Sequence, residues 1–241
     1  MKAMYWIQIL LATGAALLLS SAGCGGAAPK GLPAEKAEEL QVLQNKRDAH
    51  LKQLSAMDAR QLAQELTADS EKGREPFNSP AYREVVGRGA NAGTALKEAL
   101  GKADRSSLLT LLALRKVDPA QYHALEQSFR VGVLVDALQN SKYFNTWGIP
   151  CLYWEDAGKA LIEEGSGAES ALLPLLRDER SAPVFGSEGA TVAAQYHYRV
   201  RDYAFAFLNE IRQKKCEPMP NVADRDRAIE QMMKETPAKK K

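Results

Sequence analysis

Ala193, Tyr196, Val200, Tyr203, Phe207 and Ile211 follow one another at spacings of three and four. Only an α-helix gathers such a series on one face, so the spacing predicts a long helix over 187–213. The same period recurs along the chain. Leu108, Leu109, Leu111, Leu112 and Leu114, behind a capping Asp104, predict a helix over 106–116, and Asp118-Pro119 starts another with proline at its first position. Residues 33–70 lack glycine and are rich in Ala, Leu, Glu, Gln and Lys. Two helices are expected there, with Ser55, Asp58 and Gln61 restarting the chain near Ala56 and Gly73 stopping it. The first carries few apolar residues and reads as a stalk.

Shorter helices follow. Glu75-Pro76-Phe77-Asn78-Ser79-Pro80 is a turn cluster, and residues 81–86 and 92–100 form a helix pair interrupted by Gly87, Gly89 and Asn91, with Asn91 as N-cap of the second. Val131-Gly132-Val133-Leu134-Val135 alternates as a strand would, but Asp136-Ala137-Leu138 extends it as a buried helix. Beyond Pro218 and Pro220, residues 222–234 are expected to form a loosely attached last helix. The fold class is all-α.

A shift of 76 residues (165 minus 89) lays the stretch from Gly89 to Leu100 over that from Gly165 to Leu176, matching one Gly, two Ala and two Leu. Ser166 and Glu169 suggest a capping box in the second copy. A third unit, Val200 to Ile211, resembles the Val-Arg, Ala, Leu, Ile core of HEAT-type helical repeats. That resemblance implies helix pairs packed as an irregular superhelix; any amphipathic helix pairs packed through Ala and Leu give a similar pattern. The expected organisation is 1–23 export signal, 24–32 tether, 33–73 N-terminal helices, 74–216 repeat-like domain and 217–241 tail.

Residues 1–24 open on Lys2, run apolar from Met4 to Leu19 and close on Ser20, Ser21, Ala22 and Gly23 before Cys24. That is the three-part layout of a secretory signal, with an uncleaved membrane anchor as the alternative. Ser21-Ala22-Gly23-Cys24 resembles the lipobox of bacterial lipoproteins, although Ser21 stands where the family usually has Leu. The resemblance implies that Cys24 is the lipidated N-terminus of an envelope protein held on a membrane. Ordinary cleavage leaving a free thiol is the other outcome. Gly25 to Pro29 reads as a flexible tether.

With 32 Lys and Arg against 30 Asp and Glu, the net charge of +2 gives no electrostatic footprint for nucleic acid. Lys239, Lys240 and Lys241 end a tail that reads as solvated. The remaining cysteines, Cys151 and Cys216, are either two thiols or one disulfide, which would contribute about 3 to 4 kcal/mol. Neither they nor His50, His123 and His197 have metal-ligand spacing, and no cofactor or catalytic motif is found. His197, between Tyr196 and Tyr198, reads as an ordinary helical histidine.

The densest unusual segment runs from Tyr143 to Asp156. Tyr143, Asn145, Trp147, Tyr153, Trp154 and Glu155 are the candidate binding surface, because Tyr and Trp supply rigid contact area with a polar handle. A loop closing the core explains the same residues. Glu155 and Asp156 are the one candidate acid and base, but adjacent helical positions diverge by about 100°. Asp156 or Glu155 then serves as a negative charge in the first turn of the following helix. The expectation is a non-catalytic, lipid-anchored scaffold or binding module for another envelope protein. Its rivals are a glycan-acting enzyme using Glu155 and Asp156 beside Trp147 and Trp154, and a structural part of an assembly joined through the stalk.

Overall fold

In the computed structural model, which describes residues 33–186 and 188–235, the glycine-free stretch forms two helices, α1 (Ala34–Ala56) and α2 (Ala59–Glu71). Asp58 sets the break. Its carboxylate accepts the Gln61 N–H at 2.8 Å, and Gln61 Oε1 accepts the Asp58 N–H at 2.9 Å, a reciprocal box that satisfies two donors at the start of α2. Gly73, at φ 70°, lies just past its end. The chain divides into two compact units at Gln53 and Leu54. Within the first, side chains along α1 are mostly exposed, including Val42, Leu43 and Leu51. Leu54, Leu62, Ala63 and Leu66 are buried in the second unit's core.

Helix dominates the second unit. After a 3-10 turn at Pro76–Asn78 come α3 (Pro80–Arg88), α4 (Gly93–Ala99), α5 (Leu108–Val117), α6 (Pro119–His123) and α7 (Gln127–Asn140). The one sheet among the described residues is a hairpin, β1 (Gly148–Ile149) and β2 (Tyr153–Trp154), pairing Gly148 with Trp154 and Ile149 with Tyr153. Helices α8 (Asp156–Glu163), α9 (Ser166–Leu172), α10 (Glu188–Tyr196), α11 (Val200–Ile211) and α12 (Val222–Glu235) complete the unit. The protein is all-α, and the Val131–Val135 run is helical within α7.

The shift of 76 residues has a structural counterpart. Pro80, the first residue of α3, lands on Asp156, the first of α8. Helix α2 packs on α3 and α4, and α5 packs on both of those. In the same way α7 packs on α8 and α9, and α11 packs on both. Two similar four-helix groups thus follow each other along the chain, each burying an apolar stripe against its neighbours.

Three expectations about helix ends are corrected. The helix predicted over 187–213 is two, because His197 takes φ 51° and Arg199 begins α11 in an extended conformation, its N–H donating to Asp202 Oδ2 at 2.8 Å. Ser166 and Glu169 form no box; Gly165 precedes α9 without a side-chain cap, and Glu169 instead pairs with Arg212 at 2.8 Å. Asn91 lies inside a 3-10 turn (Gly89–Ala92), so Ala92 occupies the cap position of α4. Helix α12 is not loosely attached either. Ile229 and Met232 are buried, and Arg225, 3% exposed on its side chain, sits 3.1 Å from the Asp202 carboxylate while donating to the Tyr196 carbonyl at 2.6 Å.

Candidate functional site

A cleft of about 680 Å³ opens where three backbone segments meet, the 3-10 turn with α3 as far as Gly87, the loop from Asn145 through β2 into α8, and residues 184–186, and Lys116 of α5 completes its lining. Each segment brings an exposed aromatic side chain to it: Phe77 at 57%, Tyr153 at 43% and Phe185 at 48%. Large apolar side chains left this open in one concavity mark a surface that gains from being covered. Phe77 and Tyr153 are related by the same 76-residue shift that relates α3 to α8 (153 minus 77). The cleft therefore receives the corresponding loop of each four-helix group.

Asn145 holds one wall in place. Its side-chain amide donates to the Phe185 carbonyl at 2.5 Å, and its Oδ1 accepts the Phe185 N–H at 3.2 Å. This imitates a backbone ladder pair where none exists. Tyr143 packs edge-on to Phe185, with centroids 5.0 Å apart. The opposite wall is tied by Arg83, whose Nη1 donates to the Phe77 carbonyl at 3.1 Å.

Beneath these walls lies Glu75, 4% exposed. Its Oε1 accepts the Thr146 N–H at 2.8 Å, while Oε2 is enclosed without a hydrogen-bond partner. Burial pushes this carboxyl up to about 7, against the opposite pull of the Thr146 and Asn145 amides. Tyr82, which lines the cleft, also has a buried hydroxyl without a partner, and burial followed by the Asp156 charge pushes it well above the usual tyrosine range.

Glu155 and Asp156 both line the cleft. The helical divergence expected of them does not apply, because Glu155 has an extended backbone (φ −92°, ψ −174°) and only Asp156 is helical. Asp156 provides the first-turn charge of α8 and stands 4.0 Å from Lys116. The exposed Glu155 carboxylate has no hydrogen bond or ion pair with a described residue, so its charge is open to a partner.

The remaining sequence candidates go elsewhere. Trp147 is fully buried, its Nε1 donating to Ser141 Oγ at 3.1 Å, and Trp154 stacks on Phe207 at 4.3 Å. Because α11 presents Phe207 to the hairpin, Trp147 is a core residue with no contact surface and Trp154 is partly buried against that core. Cys151, in the hairpin turn at φ 61°, is disulfide-bonded to Cys216, with Cα atoms 5.1 Å apart. Cys24 and the whole lipobox-like segment lie outside the described residues. Among the described residues no group of three His, Cys, Asp or Glu is placed to hold a metal ion, and no helix is long and apolar enough to cross a membrane.

Sequence reasoning missed Glu75, Tyr82 and Phe185. It also missed Phe77, although an aromatic between turn-forming prolines carries a visible signal. No family model, curated protein or solved structure matches this chain.

Proposed function

We propose that this chain is an exported, lipid-anchored, non-catalytic binding protein of the bacterial envelope, whose cleft takes a segment of another envelope protein. The observation that carries the reading is the convergence of three exposed aromatic side chains, Phe77, Tyr153 and Phe185, on one cleft. Aromatic anchors in a concavity are where protein interfaces concentrate their energy. The open Glu155 carboxylate gives the partner its chemistry: apolar side chains beside a lysine or arginine. The Cys151–Cys216 disulfide suits an oxidising compartment, and the paired four-helix groups suit a HEAT-like arrangement.

The test places a photoreactive amino acid at Leu152, exposed in the hairpin turn beside the cleft, and irradiates intact cells. Capture of one envelope protein through a basic, apolar segment, abolished by Phe77→Ala with Tyr153→Ala, supports the reading. Capture unaffected by those two changes overturns it. A glycan-acting enzyme is the second reading, favoured by one observation: Glu155 and Asp156 share the cleft. It requires that Glu155→Gln abolish glycan hydrolysis without lowering stability.

A further inference from the structure

Glu75 connects the three segments that carry the exposed aromatics of the cleft. It precedes the turn that carries Phe77, and its own N–H donates to Asn78 Oδ1 at 2.8 Å inside that turn. Its carboxyl takes the Thr146 N–H of the opposite loop at 2.8 Å. The neighbouring residue of that loop, Asn145, grips Phe185 through both backbone groups. One buried side chain thus joins residues 75–78 to 145–146 directly, and to 185 through a single intermediate.

Its other oxygen, Oε2, is enclosed and unpartnered. A neutral carboxyl is accommodated there at modest cost, whereas an ionised one, although it strengthens the Thr146 bond, leaves a buried charge with no ion-pair partner among the described residues. The groups facing it are few. From the loop come the amides of Asn145 and Thr146; from α11 comes the Tyr203 hydroxyl, which is itself raised by burial and donates to the Gly148 carbonyl at 2.8 Å. On its own segment, Arg74 stands 3.5 Å from Asp69, which also accepts the Ser79 hydroxyl at 2.7 Å, so that charge is directed elsewhere. No cation among the described residues forms an ion pair with Glu75.

We propose that Glu75 is a proton-operated latch: its neutral carboxyl holds the three walls of the cleft together, and ionisation releases them. This rests on the reading of the cleft as the binding site, whose occupancy would then depend on pH. The closed form holds the proton until about pH 7, and a hydrated carboxyl gives it up near 4.5. Opening therefore becomes more favourable as pH rises through that interval, by no more than about 300-fold, the ratio set by the two values.

The test is an NMR titration of the full-length chain from roughly pH 4 to roughly pH 9, following the amides of Thr146 and Phe185. Both are expected to shift with a common midpoint near 7, and protection of the Phe185 amide, corrected for intrinsic exchange, to fall by up to about 300-fold. Glu75→Gln keeps an acceptor but cannot ionise, and should flatten both curves. Asn145→Ala provides the check if that variant does not fold: Thr146 should keep its midpoint while Phe185 loses it. A Thr146 amide that is flat in the natural protein, or that still titrates in Glu75→Gln, overturns the latch. No partner enters this measurement, so a flat titration leaves the binding reading standing, and failed capture in cells leaves the latch standing.

Discussion

Gly89 and Gly165 hold nearly the same backbone conformation, φ 64° and ψ −148° against φ 56° and ψ −142°. They close α3 and α8 respectively, 76 residues apart (165 minus 89). An L side chain is strained at such angles, and at neither position would an added Cβ meet another atom within 4 Å. Glycine is required here by backbone conformation rather than by space.

Gly89→Ala and Gly165→Ala should therefore each destabilise the protein by about 1 to 3 kcal/mol. Gly87, two residues before Gly89 and within α3, also has open space around its Cβ position but lies in an ordinary helical stretch. Gly87→Ala should stabilise by about 0.5 to 1 kcal/mol. Urea denaturation of the three variants separates conformation from packing, and equal losses at all three would contradict the argument.

The Cys151–Cys216 bond joins the hairpin turn to the segment after α11 and closes a separation of 65 residues. On the chain-entropy account such a loop is worth about 4 kcal/mol. Cys151→Ala with Cys216→Ala should lower stability by roughly that amount, and reduction of the natural protein by a dithiol should reproduce the loss. A melting curve insensitive to both would remove the disulfide from any account of stability.

Where one residue decided the local structure, the sequence was readable. Asp58 with Gln61, and Asp118 ahead of Pro119, start their helices as their residue types require. The break at His197 was not readable, because the apolar period runs through it without interruption. The left-handed His197 and the extended Arg199, with its N–H and guanidinium both on Asp202, reveal that the chain turns there. The aromatic segment at 143–156 was found, but its members divide between core and cleft according to which face of the hairpin meets Phe207. Glu75 was invisible for a similar reason: nothing local marks an acidic residue in a turn as buried until a loop 71 residues away supplies the Thr146 amide.

The Glu75 carboxyl also sets a direction for stability against pH. Its ordinary value of 4.5 is raised to about 7 in the fold, so the folded state holds this proton more tightly than the unfolded chain. The stabilisation is fully present below 4.5 and is lost as pH rises through about 7, an effect on the order of 3 kcal/mol. Denaturation midpoints of the natural protein minus those of Glu75→Gln should therefore fall across that window. A difference that rises with pH would show that the carboxylate, not the neutral acid, is the stabilising form.

Glu164 supports the second four-helix group from beneath. Its side chain is 1% exposed and accepts from Arg130 Nε at 2.7 Å, Arg130 Nη2 at 2.9 Å and the Tyr122 hydroxyl at 2.9 Å. Arg130 continues to the Leu125 carbonyl just past the end of α6, so the pair ties α6 and α7 to the end of α8. Removing one partner leaves a buried charge uncompensated, and Glu164→Ala should cost about 3 to 5 kcal/mol. Removing both costs much less, because the desolvation of the pair is no longer incurred. Glu164→Leu combined with Arg130→Met and Tyr122→Phe should recover most of the loss. Thermal denaturation of the single and triple variants decides it: a triple variant no more stable than Glu164→Ala would mean that the network's hydrogen bonds, rather than its charge balance, hold the helices together.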